Sequence, residues 1–289
     1  MIENGADREL GKHLHEAERR IFENPGYLEY LRCAAFRQTL TAVFVANWKE
    51  LLELLERAAS DVGLAIELVQ NVHRPDVRDE FQAETVQRLH NYVAGAMTLV
   101  DHSRRIMRGR SGPIPDEFAK RKQSLLSNPE VTFVQDLRNF TLHRSLPLLA
   151  HTLNMTNVNT PDQQITSEVQ LSVAELTSWD GWSSSSRRFL KGQGETIVLR
   201  HLIRRHGGLV IAINTWLHDT LAVANARALA EVNRLVVERN AVLSGTDAEH
   251  AERLTREWTK MRNTPAAQLG DLAPPFGSGD LGEGDVSRE

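Results

Sequence analysis

Apolar residues recur at helical spacing over four long stretches of this chain, and this limits the fold more than any other sequence feature. The stretches cover residues 25–57, 78–108, 129–146 and 195–242. Steps of three and four residues place the apolar side chains on one side of a helix, which must then be buried. Helices of such length commonly pack side by side. We therefore predict an all-α fold, a helical bundle of four long helices.

A second period interrupts the helical pattern between the third and fourth stretches. Leu153 and Met155 alternate with polar residues, and Val169, Leu171 and Val173 do the same further on. Alternation of this kind is typical of strands with one buried face. We predict a small β-hairpin insertion at about residues 151–177, with its turn at 157–163.

Two glycines, Gly207 and Gly208, interrupt the last long stretch. They indicate either a kink or a close approach of another helix. Just before it, Trp179 and Trp182 are expected to pack the hairpin onto the bundle through their indoles.

The bundle accounts for one domain, at about residues 25–245 of the 289. Residues 1–24 form a segment before it, and residues 246–264 are predicted to form a C-terminal helix. The acidic tail at 265–289 has few large apolar groups and no periodicity. Such composition favours disorder.

Composition excludes several classes of protein. The single cysteine, Cys33, rules out an internal disulfide and fits a reducing cytoplasm. The first residues lack the apolar core of a signal peptide, and no stretch approaches the 18 apolar residues of a membrane span. A formal net charge of −4 argues against a broad electrostatic grip on nucleic acid. We expect a cytoplasmic protein with no membrane partner.

Sequence motifs for the commoner enzyme classes are missing. The chain has no His-Glu-x-x-His, no phosphate-binding P-loop and no Cys-x-x-Cys pair. His201, His206 and His218 do not form a metal-ligand spacing with any acid. The sequence therefore predicts neither a metal nor a cofactor.

The stretch at 129–146 carries the clearest candidate site. Asn128 is a good N-cap and Pro129 suits the first helical position, while the proline at 147 should end or kink the helix. Asn139 and His143 lie one turn apart and nearly in line. Arg138 lies roughly 100° from Asn139 around the helix, within reach of an arginine side chain.

These residues resemble the HEPN superfamily (higher eukaryotes and prokaryotes nucleotide-binding), whose ribonuclease members carry an arginine, often followed by a polar residue, and a histidine a few positions later. Here the motif is Arg-Asn-x-x-x-His, from Arg138 to His143. Other pairs satisfy the bare spacing: Arg8 with His13 or His15, Arg144 with His151, and Arg200 with His206. Only the pair of Arg138 and His143 has an asparagine directly after the arginine and lies in a helix with a predicted N-cap. The alternative reading is structural, with Arg138 and Asn139 bridging helices and His143 capping carbonyls.

The resemblance implies a fold and a chemistry. The implied fold is a HEPN-like helical bundle. The implied chemistry is metal-independent cleavage of RNA through the ribose 2′-hydroxyl, at a composite site of a homodimer. The implied setting is a toxin or phage-defence system, with an antitoxin or regulatory protein as a possible partner. In that case His143 is the general base or acid, and Arg138 stabilises the charge on the phosphate. Asn139 orients the histidine or the phosphate. The rival is a non-catalytic HEPN-like module that binds a nucleotide or a protein.

A locally basic stretch lies beside this motif. Between residues 102 and 144 nine Lys or Arg outnumber four Asp or Glu. The residues expected to bind RNA are Arg105, Lys120, Arg121, Lys122 and Arg144. A charge run of this kind can equally be a solvated helix face.

Overall fold

The structure, a computed structural model, describes residues 3–70, 75–144, 147, 149–156 and 164–244. The predicted hairpin turn at 157–163, the predicted helix at 246–264 and the tail at 265–289 lie outside the described residues. The described chain is mostly helical with a small antiparallel sheet, which confirms the predicted class at that level.

The elements follow one another in this order: α1 (Glu3–Phe22), α2 (Tyr27–Gln38), a π-helical segment (Thr39–Val45), α3 (Ala46–Ser60), α4 (Val62–Gln70), α5 (Pro75–Met107), α6 (Pro113–Leu126), α7 (Pro129–His143), β1 (Leu149–Thr156), β2 (Gln164–Ser172), α8 (Val173–Thr177), α9 (Ser184–Lys191), β3 (Thr196–Val198), α10 (Leu199–Ala224) and α11 (Ala226–Ser244). The main core lies where α3, α5, α7 and α10 pack together.

The first long helix is continuous but not uniformly α-helical. The π-helical segment joins α2 to α3 and buries Leu40 and Phe44. The residues before this helix form α1, whose Ile21 packs on α11 in a second, smaller apolar cluster with Val232 and Val236.

The fourth long helix differs from its prediction at both ends. Residues 196–198 form β3, so the helix begins only at Leu199. It ends at Ala224, and α11 follows after Asn225. The break is therefore at Asn225, and the prediction of one helix over 195–242 was wrong.

The double glycine inside α10 permits a close approach. A Cβ on Gly207 would lie 2.1 Å from the indole nitrogen of Trp48, whereas one on Gly208 would meet nothing within 4 Å. Trp48 on α3 donates from its indole N–H to the Ile203 carbonyl at 3.1 Å. Of the two readings of the double glycine, the close approach is correct.

The sheet contains the predicted hairpin and one further strand, but the hairpin ends at Ser172, because residues 173–177 form α8 and not part of a strand. β1 and β2 pair antiparallel from Leu149 opposite Leu171, and β3 adds Ile197 opposite Leu171 on the other side. Contacts with α3 and α4 attach the sheet to the bundle. Val169 and Leu171 are buried, as their alternation predicts.

Candidate functional site

The helix that carries the motif begins as its sequence predicts. The Asn128 side chain accepts a hydrogen bond from the Glu130 amide at 3.0 Å, with Pro129 at the first helical position. The helix ends at His143, three residues earlier than predicted, and the Arg144 amide donates to the Phe140 carbonyl at 2.9 Å. His143 is therefore the last residue of α7.

Aromatic stacking anchors one side of α7. The ring of Trp182 stacks on Phe133 and Phe140, with centroids 5.2 and 5.5 Å apart. Its indole N–H donates to the Leu176 carbonyl at 2.6 Å. Trp179 meets Phe140 edge to face. The two indoles thus pack the segment around α8 and α9 onto α7, rather than the hairpin onto the bundle as predicted.

A carboxylate provides a second anchor on the same side. Asp136 accepts hydrogen bonds from the Ser183 amide at 3.1 Å and from the Ser186 hydroxyl at 2.6 Å. Ser183 is the N-cap of α9, so Asp136 ties α7 to the start of that helix. The stacked rings and the Asp136 carboxylate thus attach one side of α7 to the segment that contains α9.

The other side of α7 is open, and we call it the outer face: Gln135, Arg138, Asn139, Leu142 and His143. Gln135, Asn139 and His143 form an i, i+4 row, with Arg138 and Leu142 beside it. Arg138 and His143 are exposed, Asn139 is half-buried, and Leu142 is 49% exposed. Arg138, Asn139 and His143 therefore share one accessible surface.

None of the polar side chains of the outer face makes a hydrogen bond or ion pair with another described residue. The structural alternative required Arg138 and Asn139 to bridge helices and His143 to cap carbonyls, and those contacts are not found within the described parts of the chain. Of the competing pairs, Arg200 with His206 has a different environment. Arg200 forms an ion pair with Glu168 on β2, and His206 is buried.

The predicted RNA-binding residues do not behave as one group. Arg105, Lys120 and Arg144 are exposed. Arg121 lies over the Trp216 ring, 4.4 Å from its centroid, and its Nε donates to Glu117 at 2.9 Å. Lys122 is half-buried and faces a cavity. The Lys120 to Lys122 run is thus divided among three environments.

That cavity is a feature that sequence reasoning missed. It has a volume of about 110 Å³ and lies between α5, α6, α7 and α10. Polar or charged side chains lining it include Ser103, Arg104, Lys122, Gln135, His206 and Asn214. Gln135 also belongs to the outer face, so one lining residue of the cavity lies one helical turn from Asn139.

A buried Tyr–His pair lies at the cavity wall. Tyr92 and His206 are hydrogen-bonded through the phenol oxygen and Nδ1. Burial raises the pKa of Tyr92 well above its usual value and lowers the pKa of His206 to about 4. Both groups are therefore neutral near pH 7. A buried phenol proton needs an acceptor, and Nδ1 is the one that the described residues offer. We therefore assign the donor role to the Tyr92 hydroxyl, which places the proton of the neutral imidazole on Nε2.

The signal that would have found His206 is its position. It occurs within the apolar stripe of α10, where an imidazole must be hydrogen-bonded if it is buried. Among the described residues no group of three or more His, Cys, Asp or Glu is placed to hold a metal ion.

The sequence matches no protein-family model, and neither curated proteins nor solved structures give a match. None of the described helices combines the length and hydropathy that a membrane crossing requires.

Proposed function

We propose that this protein is a metal-independent endoribonuclease of the HEPN type, with a HEPN-like bundle as its fold and its chemistry on the outer face of α7. The observation that carries the proposal is the contrast between the two sides of that helix. One side is held by Trp182 and by the serines bonded to Asp136, whereas Arg138 and His143 are exposed and engage no described side chain.

The cleavage step needs two proton transfers. A base removes the proton of the ribose 2′-hydroxyl as its oxygen attacks phosphorus, and an acid protonates the departing 5′-oxygen. The products are a 2′,3′-cyclic phosphate and a 5′-hydroxyl. Imidazole exchanges protons near neutral pH and suits both tasks. The guanidinium of Arg138 stabilises the added charge on phosphorus, and the Asn139 amide orients the phosphate or the imidazole.

One copy of the chain offers one imidazole on the outer face, whereas the step uses a base and an acid. A homodimer with its two-fold axis beside α7 supplies two copies of His143 and two of Arg138. Leu142 supports this arrangement, because a leucine 49% exposed between Arg138 and His143 gains from burial against a second copy.

Cleavage in EDTA tests the chemistry. We expect the purified protein to cut single-stranded RNA in EDTA, to leave 2′,3′-cyclic phosphate ends detectable by mass spectrometry, and to leave DNA of the same sequence intact. A folded dimer that binds nucleotide but cuts no RNA would contradict the proposal and favour the non-catalytic binding module.

Light scattering tests the composite site. Leu142→Glu should shift the dimer towards monomer and reduce cleavage in parallel. Val223→Glu is the matched control, because Val223 is 77% exposed at the end of α10 and should tolerate the charge. Full RNase activity in a monomeric Leu142→Glu protein would remove the dimer model while leaving the chemistry on α7 in place.

A further inference from the structure

The cavity between α5, α6, α7 and α10 is lined over several helical turns. The lining residues run along α10 from His206 to Asn214, eight residues or about 12 Å of helix, and along α5 from Val93 to Arg104. A volume of about 110 Å³ that borders residues over this length suits a small, extended molecule.

Charge is distributed unequally along this cavity. Lys122 and Arg104 line it, and none of the described lining residues is acidic. Arg104 pairs with Asp101 at 3.3 Å, on the exposed side of α5. Lys122 is half-buried and has no carboxylate partner among the described residues. A half-buried ammonium without a counter-ion favours an anionic ligand.

Two deeply buried polar side chains at the cavity retain unused hydrogen-bonding atoms. His206 is 1% exposed, and the Nε2 proton has no described acceptor, since Tyr92 occupies Nδ1. Asn214 is 7% exposed and donates from its amide to the Val210 carbonyl at 2.8 Å, while no described residue donates to its amide oxygen. Both residues line the cavity, so a polar occupant can supply these two atoms with partners.

We propose that the cavity binds a short, unbranched carboxylate that carries a hydroxyl or carbonyl oxygen at its far end. The carboxylate pairs with Lys122, the methylene chain lies along Val93, Val210 and Val134, and the distal oxygen accepts from Nε2 of His206. The cavity shares only Gln135 with the outer face, and binding of a ligand in it does not depend on RNA cleavage.

The size of the ligand follows from the volume. An apolar cavity of about 150 Å³ is enough for the six carbons of benzene. By that measure 110 Å³ holds about four or five heavy atoms, such as four methylenes and a hydroxyl oxygen, with the carboxylate at the Lys122 end in addition. The corresponding probe is 5-hydroxypentanoate.

Three matched probes separate the contributions: 5-hydroxypentanoate, pentanoate without the hydroxyl, and 1,5-pentanediol without the carboxylate. Titration calorimetry of the full chain should show saturable binding of 5-hydroxypentanoate. We expect pentanoate to bind several-fold more weakly, because one neutral hydrogen bond is lost, and the diol more than tenfold more weakly, because it has no charge to offer Lys122. Equal binding of all three, or of none, would overturn the proposal.

Two variants with matched controls locate the site. Lys122→Met should weaken the binding of 5-hydroxypentanoate more than tenfold, whereas Lys120→Met, two residues earlier on the exposed face of α6, should have no effect on it. Ala96→Leu fills the cavity and should abolish binding, while Ala94→Leu adds the same volume on the exposed side of α5. Undiminished binding to Lys122→Met would refute the proposal even if Ala96→Leu fails to fold.

Discussion

His143 and His206 show how differently one side chain is used in two regions of this molecule. His143 ends α7 on an open face and has no described partner, whereas His206 is 1% exposed, pairs with Tyr92 and borders a cavity. An exposed imidazole remains hydrated and needs no partner within the protein, so it is available for proton transfer. A buried one must be neutral and hydrogen-bonded. We therefore expect the first histidine to control activity and the second to control stability.

The largest expected effect concerns activity. Replacing His143 by alanine removes a proton-transfer group and should slow RNA cleavage by about 10²–10⁴-fold. Arg138→Ala should lower the rate by a comparable factor, because phosphate charge is left unstabilised. Both variants should retain the melting temperature of the wild type, since both side chains are exposed. Cleavage rates and thermal melts measured together check this.

His201→Ala is the control, because it removes another exposed histidine, from α10, and should change neither quantity. A sharp fall in melting temperature for His143→Ala, with no change in cleavage, would reverse the contrast between the two histidines.

The second prediction concerns the buried histidine and pH. Burial lowers the pKa of His206 from 6.5 to about 4 in the folded protein. Between these values the unfolded chain binds more protons than the folded one, so stability is present above pH 6.5 and is lost as pH falls towards 4. At about 1.4 kcal/mol per pH unit, the loss attributable to this group is roughly 3 kcal/mol over the window.

Urea unfolding of the wild type and of His206→Gln at pH 7 and pH 5 measures this contribution. The wild type should lose about 2 kcal/mol more than the variant, because the variant lacks the titrating group. His143→Ala should keep the full pH dependence. The assignment to His206 fails if the glutamine variant follows the same pH curve as the wild type.

Local sequence signals were enough for α7 but not for the buried region. Asn128 and Pro129 start a helix by interactions within a few residues, so its beginning and the placement of Arg138 and His143 on one surface could be predicted. β3 has three residues, too few to show a period, and forms by pairing with β2, which precedes it by more than 20 residues. The cavity has no local signal, because four helices that are distant in sequence create it.

The double glycine in α10 also depends on a contact that is distant in sequence. Glycine inside a helix costs roughly 1 kcal/mol relative to alanine, so sequence alone identified a weak point at residues 207–208 without deciding between a kink and a close approach. The ring of Trp48, 155 residues from the carbonyl it bonds, occupies the space that a Gly207 side chain would need. The actual break comes at Asn225, whose side chain donates back to the Leu221 carbonyl at 2.8 Å.

The smallest expected effect is a difference in stability between alanine substitutions at Gly207, which is buried, and at Gly208, which is exposed. Gly207→Ala places a Cβ 2.1 Å from the Trp48 indole nitrogen, so the ring must move and its hydrogen bond to Ile203 is strained. We expect a loss of about 1–3 kcal/mol in the free energy of unfolding. Gly208→Ala meets nothing within 4 Å and should gain up to about 1 kcal/mol from helix propensity.

Urea denaturation of both variants at pH 7 gives the two signs directly. Because each variant adds one methyl group to the same helix, propensity cancels in the comparison and the difference reports the contact of Gly207 with Trp48. Combining Gly207→Ala with Trp48→Ala should recover most of the penalty that Gly207→Ala adds, since the Cβ then has room. Equal stabilisation by both single substitutions would mean that Trp48 does not lie on Gly207, and that the buried side of α10 is less closely packed than the hydrogen bond to Ile203 indicates.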